Sequence, residues 1–132
     1  MDSFSGNVLI KGATDLGVDL GITEANAFAS YLDFLLEHNQ RTNLTAIRDT
    51  HGVVVKHFLD SLAVVPFLPE GSGLAVLDIG SGAGFPGIPI KIAIPSISLT
   101  LLDSAQKKVA FLNSVVKHLN LDGVTVLCGR SE

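Results

Sequence analysis

The chain has 132 residues, a length typical of a single domain of about 100–150 residues. Nine basic and thirteen acidic side chains give a net charge of −4, which excludes a uniformly basic nucleic-acid coat but allows a local basic patch. Hydrophobic residues make up 47% and charged residues 17%, which excludes a disordered chain, and no apolar run reaches the roughly 18 residues of a membrane span.

The N-terminus and the cysteine content favour a cytoplasmic protein that is not bound to a membrane. The first residues, MDSFSGNVLIKG, have neither a basic start nor a long apolar core, so we do not interpret them as a secretory signal. Cys128 is the single cysteine, which excludes an internal disulfide and fits a reducing compartment. Because it lies at the end of an apolar strand, we predict a buried small side chain rather than a nucleophile.

Residues 1–70 are predicted to form an N-terminal helical segment. A weak first helix covers about 5–16, because each glycine in a helix interior costs roughly 1 kcal/mol. A stronger second helix covers about 23–38, with Thr23 as its cap. Its apolar side chains recur at helical spacing on one face, namely Ala25, Phe28, Leu32, Leu35 and Leu36.

A polar loop and a third helix complete this segment. Residues 39–48 are polar and are predicted to form the loop. Thr50 caps the third helix and Pro66 ends it. The apolar residues of this helix again share a face, namely Val54, Phe58, Leu62 and Val65. The prolines, glycines and serine that follow mark a linker to the second half of the chain.

Residues 71–132 alternate strands with helices. Strands are expected at 74–79, 97–102 and 124–127, and helices at 86–94 and 105–119. Such alternation implies parallel strands joined by right-handed crossovers. The predicted fold class is therefore α/β, with half of a Rossmann-like sheet in strand order 3-2-1.

One edge of the first strand lacks a predicted partner. A Rossmann-like sheet normally continues with another strand on that side. An exposed apolar edge also invites pairing with another chain. We therefore expect either a fragment of a longer chain or a homo-oligomer that covers the edge of strand one.

A glycine-rich turn with the sequence DIGSGAG, at 78–84, joins the first strand to the next helix. Glycines allow a sharp bend and a close approach of the backbone to a ligand. Strand two ends in Asp103, and a carboxylate there can accept hydrogen bonds from both ribose hydroxyls of an adenosine. The turn and the carboxylate together predict an adenosine-binding site.

Two cofactors are candidates for this site. The dinucleotide fingerprint G-x-G-x-x-G is present at 82–87, whereas an acid shortly before G-x-G-x-G is typical of an S-adenosylmethionine site. Asp78 favours the methyl donor, because its carboxylate would repel a pyrophosphate and attract an ammonium or sulfonium group. A tight strand–helix turn without any ligand is the third interpretation.

Five strings of residues carry a resemblance to a known family. They are NQRTNLTAIRD (39–49), KHFLDS (56–61), DIGSGAGFPGIP (78–89), LLDSAQKKVAFL (101–112) and RSE (130–132). In these strings the chain resembles the glucose-inhibited division protein B (RsmG) family of small-subunit ribosomal RNA guanine-N7 methyltransferases. The family continues well past Glu132. Lysines at 56 and 108 stand where arginine is common in the family.

The resemblance implies an S-adenosylmethionine-dependent enzyme that acts on 16S ribosomal RNA or on the ribosomal subunit. It implies a class I methyltransferase domain, of which 71–132 would be the first half. It adds cofactor contacts at Gly80, Phe85, Ser131 and Glu132. With the turn and the end of strand two, the full predicted set is Asp78, Gly80, Ser81, Gly82, Gly84, Phe85, Asp103, Ser104, Ser131 and Glu132.

Methylation of guanine N7 would need no general base, because N7 carries a lone pair and no proton. Catalysis would then depend on orientation and on the exclusion of water, so we predict no catalytic residue and no metal site. N7 lies on the major-groove edge, which A-form RNA hides. The target is therefore expected in an accessible loop or in incompletely assembled RNA.

Candidate RNA contacts come from the loop and the third helix, namely Arg41, Arg48, Lys56 and His57. Their alternative interpretation is an ordinary solvated surface, and for His57 also a helix lip over the cofactor cleft. Two further functions are kept open for the chain as a whole. One is a methyltransferase with another substrate, and the other is a truncated non-catalytic module that binds the cofactor or assembles with itself.

Overall fold

A computed structural model describes residues 1–71 and 73–130 of the chain. The helices are α1 (Ser3–Asp15), α2 (Ile22–Asn39), α3 (Thr50–Val53), α4 (Asp60–Leu62), α5 (Gly87–Ala93) and α6 (Gln106–His118). The strands are β1 (Ala75–Ile79), β2 (Ser98–Asp103) and β3 (Val124–Cys128). A π-helical segment, Val54–Leu59, joins α3 to α4. Ser131 and Glu132, two of the predicted cofactor contacts, lie outside the described residues.

The three strands form one parallel sheet with β2 in the centre, which confirms the predicted α/β class and the strand order 3-2-1. Ala75 lies opposite Ser98, and Leu99 lies opposite Val124. Helix α5 contacts β1 and β2, and helix α6 contacts β2 and β3. The parallel arrangement brings all three carboxyl ends to the same edge of the sheet.

One hydrophobic core connects the helical segment to the sheet. Helix α2 contacts both α5 and α6, and α4 contacts α5. Fully buried side chains of this core come from both halves of the chain, among them Leu9, Phe28, Tyr31, Phe58, Ile88, Leu101 and Leu112. Burial of such side chains contributes roughly 1.5–3 kcal/mol each. The N-terminal helices are thus fixed against the elements that carry the glycine-rich turn.

The caps of two helices differ from the predicted ones. Gly21 rather than Thr23 is the N-cap of α2, and the Gly21 N–H donates a hydrogen bond to Glu24 Oε1 at 2.8 Å. Asp49 rather than Thr50 caps α3, because its carboxylate accepts a hydrogen bond from the Gly52 N–H at 2.9 Å. In both cases a carboxylate satisfies a donor that a helix start would otherwise leave unpaired.

The third predicted helix is not regular. It begins as α3, passes through the π-helical segment and ends as α4, and Pro66 lies in a separate 3₁₀ turn, Val65–Phe67. A π turn shifts every later side chain around the helix axis. The shift affects the position of His57, which lies within the π-helical segment.

The prediction that Cys128 is buried is wrong. Its thiol is exposed, and Sγ lies 3.9 Å from the Ser104 carbonyl oxygen. Strand β3 is an edge strand, and α6 is the helix that packs against it. Few residues cover the end of such a strand, so an apolar sequence there does not imply buried side chains.

Candidate functional site

A cavity of about 580 Å³ lies at the carboxyl ends of the strands. It is lined by Ile79, Gly80, Leu102, Asp103, Ser104, Lys108, Gly129 and Arg130. Open parallel sheets bind their ligands at this edge, and the volume lies within the roughly 300–1,000 Å³ of small-molecule sites. The structure thus brings three predicted residues, Gly80, Asp103 and Ser104, to one cavity.

Asp103 connects this cavity to the glycine-rich turn. Its Oδ2 accepts a hydrogen bond from the Gly82 N–H, and its Oδ1 accepts one from the Ala105 N–H, both at 2.9 Å. The side chain is largely buried. Each carboxylate oxygen has two lone pairs, so both oxygens retain the capacity to accept a hydrogen bond from a ligand hydroxyl. Asp103 therefore fixes the turn and borders the cavity at the same time.

Asp78 does not line the cavity. Its carboxylate lies under the turn, where Oδ2 accepts a hydrogen bond from the Gly87 N–H at 2.9 Å. Burial raises the pKa of Asp78, the hydrogen bonds from Gly87 and Ser81 oppose the shift, and the nearby Asp103 carboxylate adds to it. The structure therefore assigns Asp78 a contact with the start of α5.

Replacing Asp78 with asparagine is expected to stabilise the chain at neutral pH. Because the pKa of Asp78 is raised on folding, the folded state binds this proton more tightly than the unfolded state. The stability that the group contributes is complete below its ordinary pKa of 3.8 and is lost as the pH rises through the folded-state value. Asparagine cannot ionise and retains an acceptor oxygen for Gly87.

Urea unfolding of both proteins at several pH values between about 3.5 and 7 measures this effect. The advantage of Asp78→Asn should grow as the pH rises. Asp122→Asn, at an exposed position, provides the control substitution. A constant difference between Asp78→Asn and the parent across the pH range would contradict the expectation.

The glycines of the turn differ in the space around them. Gly80, Gly82 and Gly84 all have positive φ angles, of 75°, 57° and 102°. A Cβ built on Gly80 meets no atom within 4 Å, whereas one built on Gly84 comes within 2.6 Å of both Tyr31 Oη and Ile88 Cδ1. The turn is therefore closely packed at Gly84 and open at Gly80, which borders the cavity.

Ser81 lies inside the turn rather than at its surface. It is buried, and its hydroxyl donates a hydrogen bond to the Asp78 carbonyl oxygen at 2.9 Å. Its own carbonyl oxygen accepts hydrogen bonds from the amides of Gly84 at 2.8 Å and of Phe85 at 3.2 Å. Ser81 therefore holds the shape of the turn.

Tyr31 is a component of the site that the sequence analysis missed. It is fully buried, and its hydroxyl donates a hydrogen bond to the Ala83 carbonyl oxygen at 2.5 Å. Its ring also lies 5.6 Å from that of Phe85. The available signal was its position three residues after Phe28, on the apolar face of the second helix. Lys108 was also missed as a cavity residue.

The four candidate RNA contacts occupy different environments. Arg41 and Lys56 are exposed. The Arg48 guanidinium donates hydrogen bonds to the Asn39 carbonyl oxygen at 3.3 Å and to Asn43 Oδ1 at 2.9 Å, so it ties the loop together. His57, the fourth candidate, is half-buried beside the glycine-rich turn.

His57 packs against Phe85, the residue that follows Gly84. The two ring centroids are 4.4 Å apart, and the ring planes differ by 8°. Burial lowers the pKa of His57, and the Asp60 carboxylate opposes that shift. The ring is therefore neutral at pH 7. The structure thus places His57 beside a predicted cofactor contact.

Within 1–71 and 73–130, no helix has the length and apolar character needed to cross a bilayer. The same residues contain no group of three or more His, Cys, Asp or Glu side chains arranged to hold a metal ion.

Comparison with known proteins gives a consistent result. The sequence model of the family described as GidB, rRNA small subunit methyltransferase G, matches residues 24–132. A protein of Caldanaerobacter subterraneus subsp. tengcongensis is 48% identical over 125 residues, which cover 95% of this chain and 52% of the relative. One from Acetivibrio thermocellus is 43% identical over 125 residues, with coverages of 95% and 51%.

A third relative, from Clostridium kluyveri, is 47% identical over 118 residues, which cover 89% of this chain and 50% of the relative. All three carry the name ribosomal RNA small subunit methyltransferase G. The chain spans about half the length of these curated relatives.

Proposed function

Because the chain belongs to the rRNA small subunit methyltransferase G family, we propose that the cavity at the strand ends binds S-adenosylmethionine. At the full length of its relatives, the protein would transfer the methyl group to guanine N7 of small-subunit ribosomal RNA in the cytoplasm. The observation that carries the proposal is the cavity at the strand ends, bordered by Gly80 and by the Asp103 carboxylate.

The residues around the cavity fit this cofactor. Gly80 leaves open space where a side chain would otherwise stand, so an adenosine can approach the backbone. Asp103 retains lone pairs for the ribose hydroxyls, and Ser104 lies beside it. Phe85, and by resemblance Ser131 and Glu132, complete the proposed contacts. Lys108 adds a positive charge at the border of the cavity.

The hydrogen bonds of the turn argue against a dinucleotide. A pyrophosphate in a G-x-G-x-x-G site binds to free backbone amides at the start of the following helix. Here the amides of Gly82 and Gly87 donate to Asp103 and Asp78. The amides of Gly84 and Phe85 donate to a carbonyl oxygen within the turn. A pyrophosphate would have to displace two carboxylates and the Ser81 carbonyl oxygen to reach these four donors.

S-adenosylmethionine supplies an electrophilic methyl group on a positively charged sulfur. Guanine N7 offers a lone pair and loses no proton on methylation. The contribution of this chain is therefore to hold and orient the adenosine, through Asp103 and the turn, and to exclude water from the cleft. The exposed Arg41 and Lys56 are the proposed contacts to RNA phosphates.

Calorimetric titration of the chain with S-adenosylmethionine, and separately with NADH, tests the cofactor. We expect saturable binding of the first with one site per chain, and none of the second. Binding of NADH with comparable affinity would overturn the cofactor assignment. Failure of a folded chain to bind S-adenosylmethionine would favour the non-catalytic, self-assembling alternative.

A chimera tests the substrate, because it restores the length of a relative. This chain replaces the matching half of the Caldanaerobacter relative, and the product is incubated with small ribosomal subunits and labelled S-adenosylmethionine. Guanine methylated at N7 is then located by borohydride and aniline cleavage of the RNA. Label at another atom or in another RNA would overturn the substrate assignment. The unaltered relative is the matched control.

A further inference from the structure

We propose that His57 is a positioning residue of the cofactor site, which holds the ring of Phe85 and through it the glycine-rich turn. The inference rests on the proposed cofactor site. His57 comes from the π-helical segment, whereas Phe85 follows the turn directly. Their nearly parallel stack, at 4.4 Å, is a direct contact between the N-terminal helices and the turn.

The core and His57 together restrict the Phe85 ring. Tyr31 and Phe58 lie on the core side, with centroid distances of 5.6 Å and 6.1 Å and planes inclined by 31° and 53° to that of Phe85. His57 is the nearest of the three rings and the one that lies parallel. Without it, Phe85 keeps its tilted contacts but loses a flat surface that restricts rotation of its ring.

A network of polar contacts fixes the orientation of His57. Its Nε2 lies 2.7 Å from Thr45 Oγ1, within hydrogen-bond distance. Thr45 is in turn held by Asn39, whose Oδ1 accepts hydrogen bonds from the amides of Leu44 at 2.8 Å and Thr45 at 3.0 Å. Asn39 Nδ2 also donates to the Thr45 carbonyl oxygen at 3.0 Å.

This network gives the polar loop 39–48 a specific role. Asn39 is buried although it is polar, and its side chain makes three hydrogen bonds that shape the loop around Thr45. The contacts then continue from Thr45 to His57 and from His57 to Phe85. The loop therefore supports the cofactor turn as well as carrying Arg41 on its surface.

Three variants separate the stack from the hydrogen bond. His57→Ala removes both, and His57→Phe retains an aromatic ring but loses the hydrogen bond. Thr45→Val keeps a branched side chain but removes the hydroxyl, and with it also the hydrogen bond that Oγ1 accepts from the Ile47 N–H at 3.1 Å. His118→Ala is the matched control, because His118 also stacks on a phenylalanine, Phe34, at 4.6 Å and 16°, but lies on α6. Urea unfolding of each variant establishes that it is folded.

Two readouts are compared in the full chain. The first is the calorimetric affinity for S-adenosylhomocysteine, which is a stable product analogue. The second is amide hydrogen exchange of Gly84, Phe85 and Ile88 without ligand, since each donates a backbone hydrogen bond in the turn. His57→Ala is expected to lower the affinity about tenfold, the effect of losing one aromatic pair, and to accelerate exchange at these amides.

His57→Phe and Thr45→Val both keep a ring against Phe85 and both lose the hydrogen bond, so each should give a loss of affinity between that of the parent and that of His57→Ala. The proposal is overturned if His57→Ala matches the parent in both readouts, or if His118→Ala reproduces its effects. If the parent chain binds no S-adenosylhomocysteine, the proposed function fails, and the exchange rates alone then decide whether His57 orders the turn. Should His57→Ala not fold, parent-like affinity and exchange rates in both His57→Phe and Thr45→Val would overturn the proposal, because each lacks the hydrogen bond that orients the ring.

Discussion

Replacing Asp103 with alanine is expected to lower the affinity for S-adenosylmethionine about 100-fold, because the proposed acceptor of both ribose hydroxyls is lost. The same substitution removes the two hydrogen bonds that the carboxylate accepts from Gly82 and Ala105. The free energy of unfolding should therefore fall by about 2 kcal/mol. Calorimetry measures the first effect and urea unfolding the second.

Removing a ribose hydroxyl from the ligand distinguishes two roles of Asp103, namely direct recognition of the ribose and support of the turn. S-adenosylhomocysteine and its 2′-deoxy form are titrated into the parent and into Asp103→Ala. The parent should bind the deoxy form at least tenfold more weakly, whereas the variant should bind the two ligands equally, since it lacks the carboxylate that would recognise the 2′-hydroxyl. Asp122→Ala is the control at an exposed aspartate. Equal discrimination by the parent and Asp103→Ala would contradict the ribose contact.

Much of the secondary structure follows from short-range patterns. The three predicted strands each lie within one residue of the observed ones, because glycine, proline, aspartate or serine bounds each apolar run. The π-helical segment could not be predicted in this way. A spacing of four between Val54 and Phe58 suits an α turn as well as a π turn. The segment also packs closely against α1, where a Cβ on Gly12 would come within 2.6 Å of Leu59 Cδ1, and local spacing carries no information about that contact.

The residues of the candidate site also differ in whether local sequence patterns could predict them. The turn and Asp103 could be predicted from local sequence. Glycines directly follow the first strand, and an acidic residue ends the second. Tyr31 could not, since it reaches the turn across 52 residues of sequence through one hydrogen bond. The contact of Asp78 with Gly87 depends on how the helix start packs under the turn. Sequence therefore indicates residues that border the cavity better than the residues that hold them in place.

Gly84→Ala is expected to be among the most disruptive single substitutions in the turn. A side chain at a φ of 102° is strained, and the added Cβ would overlap with Tyr31 Oη and Ile88 Cδ1. Strain and overpacking together should lower the free energy of unfolding by about 3 kcal/mol, as measured by urea unfolding. The cofactor turn should lose its shape, so binding of S-adenosylmethionine should fall below detection.

Gly80→Ala provides the matched control, because Gly80 also has a positive φ but has open space around its Cβ position. It should cost about 1 kcal/mol of unfolding free energy, from backbone strain alone. Its effect on cofactor affinity should exceed its effect on stability, since Gly80 borders the cavity. Equal destabilisation by the two substitutions would show that overlap at Gly84 contributes nothing.

A double substitution tests whether Tyr31 is the residue that excludes a side chain at position 84. Tyr31→Phe removes the hydroxyl, which costs about 1 kcal/mol for the lost hydrogen bond to Ala83. In Gly84→Ala/Tyr31→Phe, the new methyl group no longer meets Oη, so the combined loss should be smaller than the sum of the two single losses. If the two losses are strictly additive, the new methyl group at position 84 overlaps with Ile88 rather than with Tyr31. In that case the tyrosine hydroxyl would hold the turn only through its bond to Ala83.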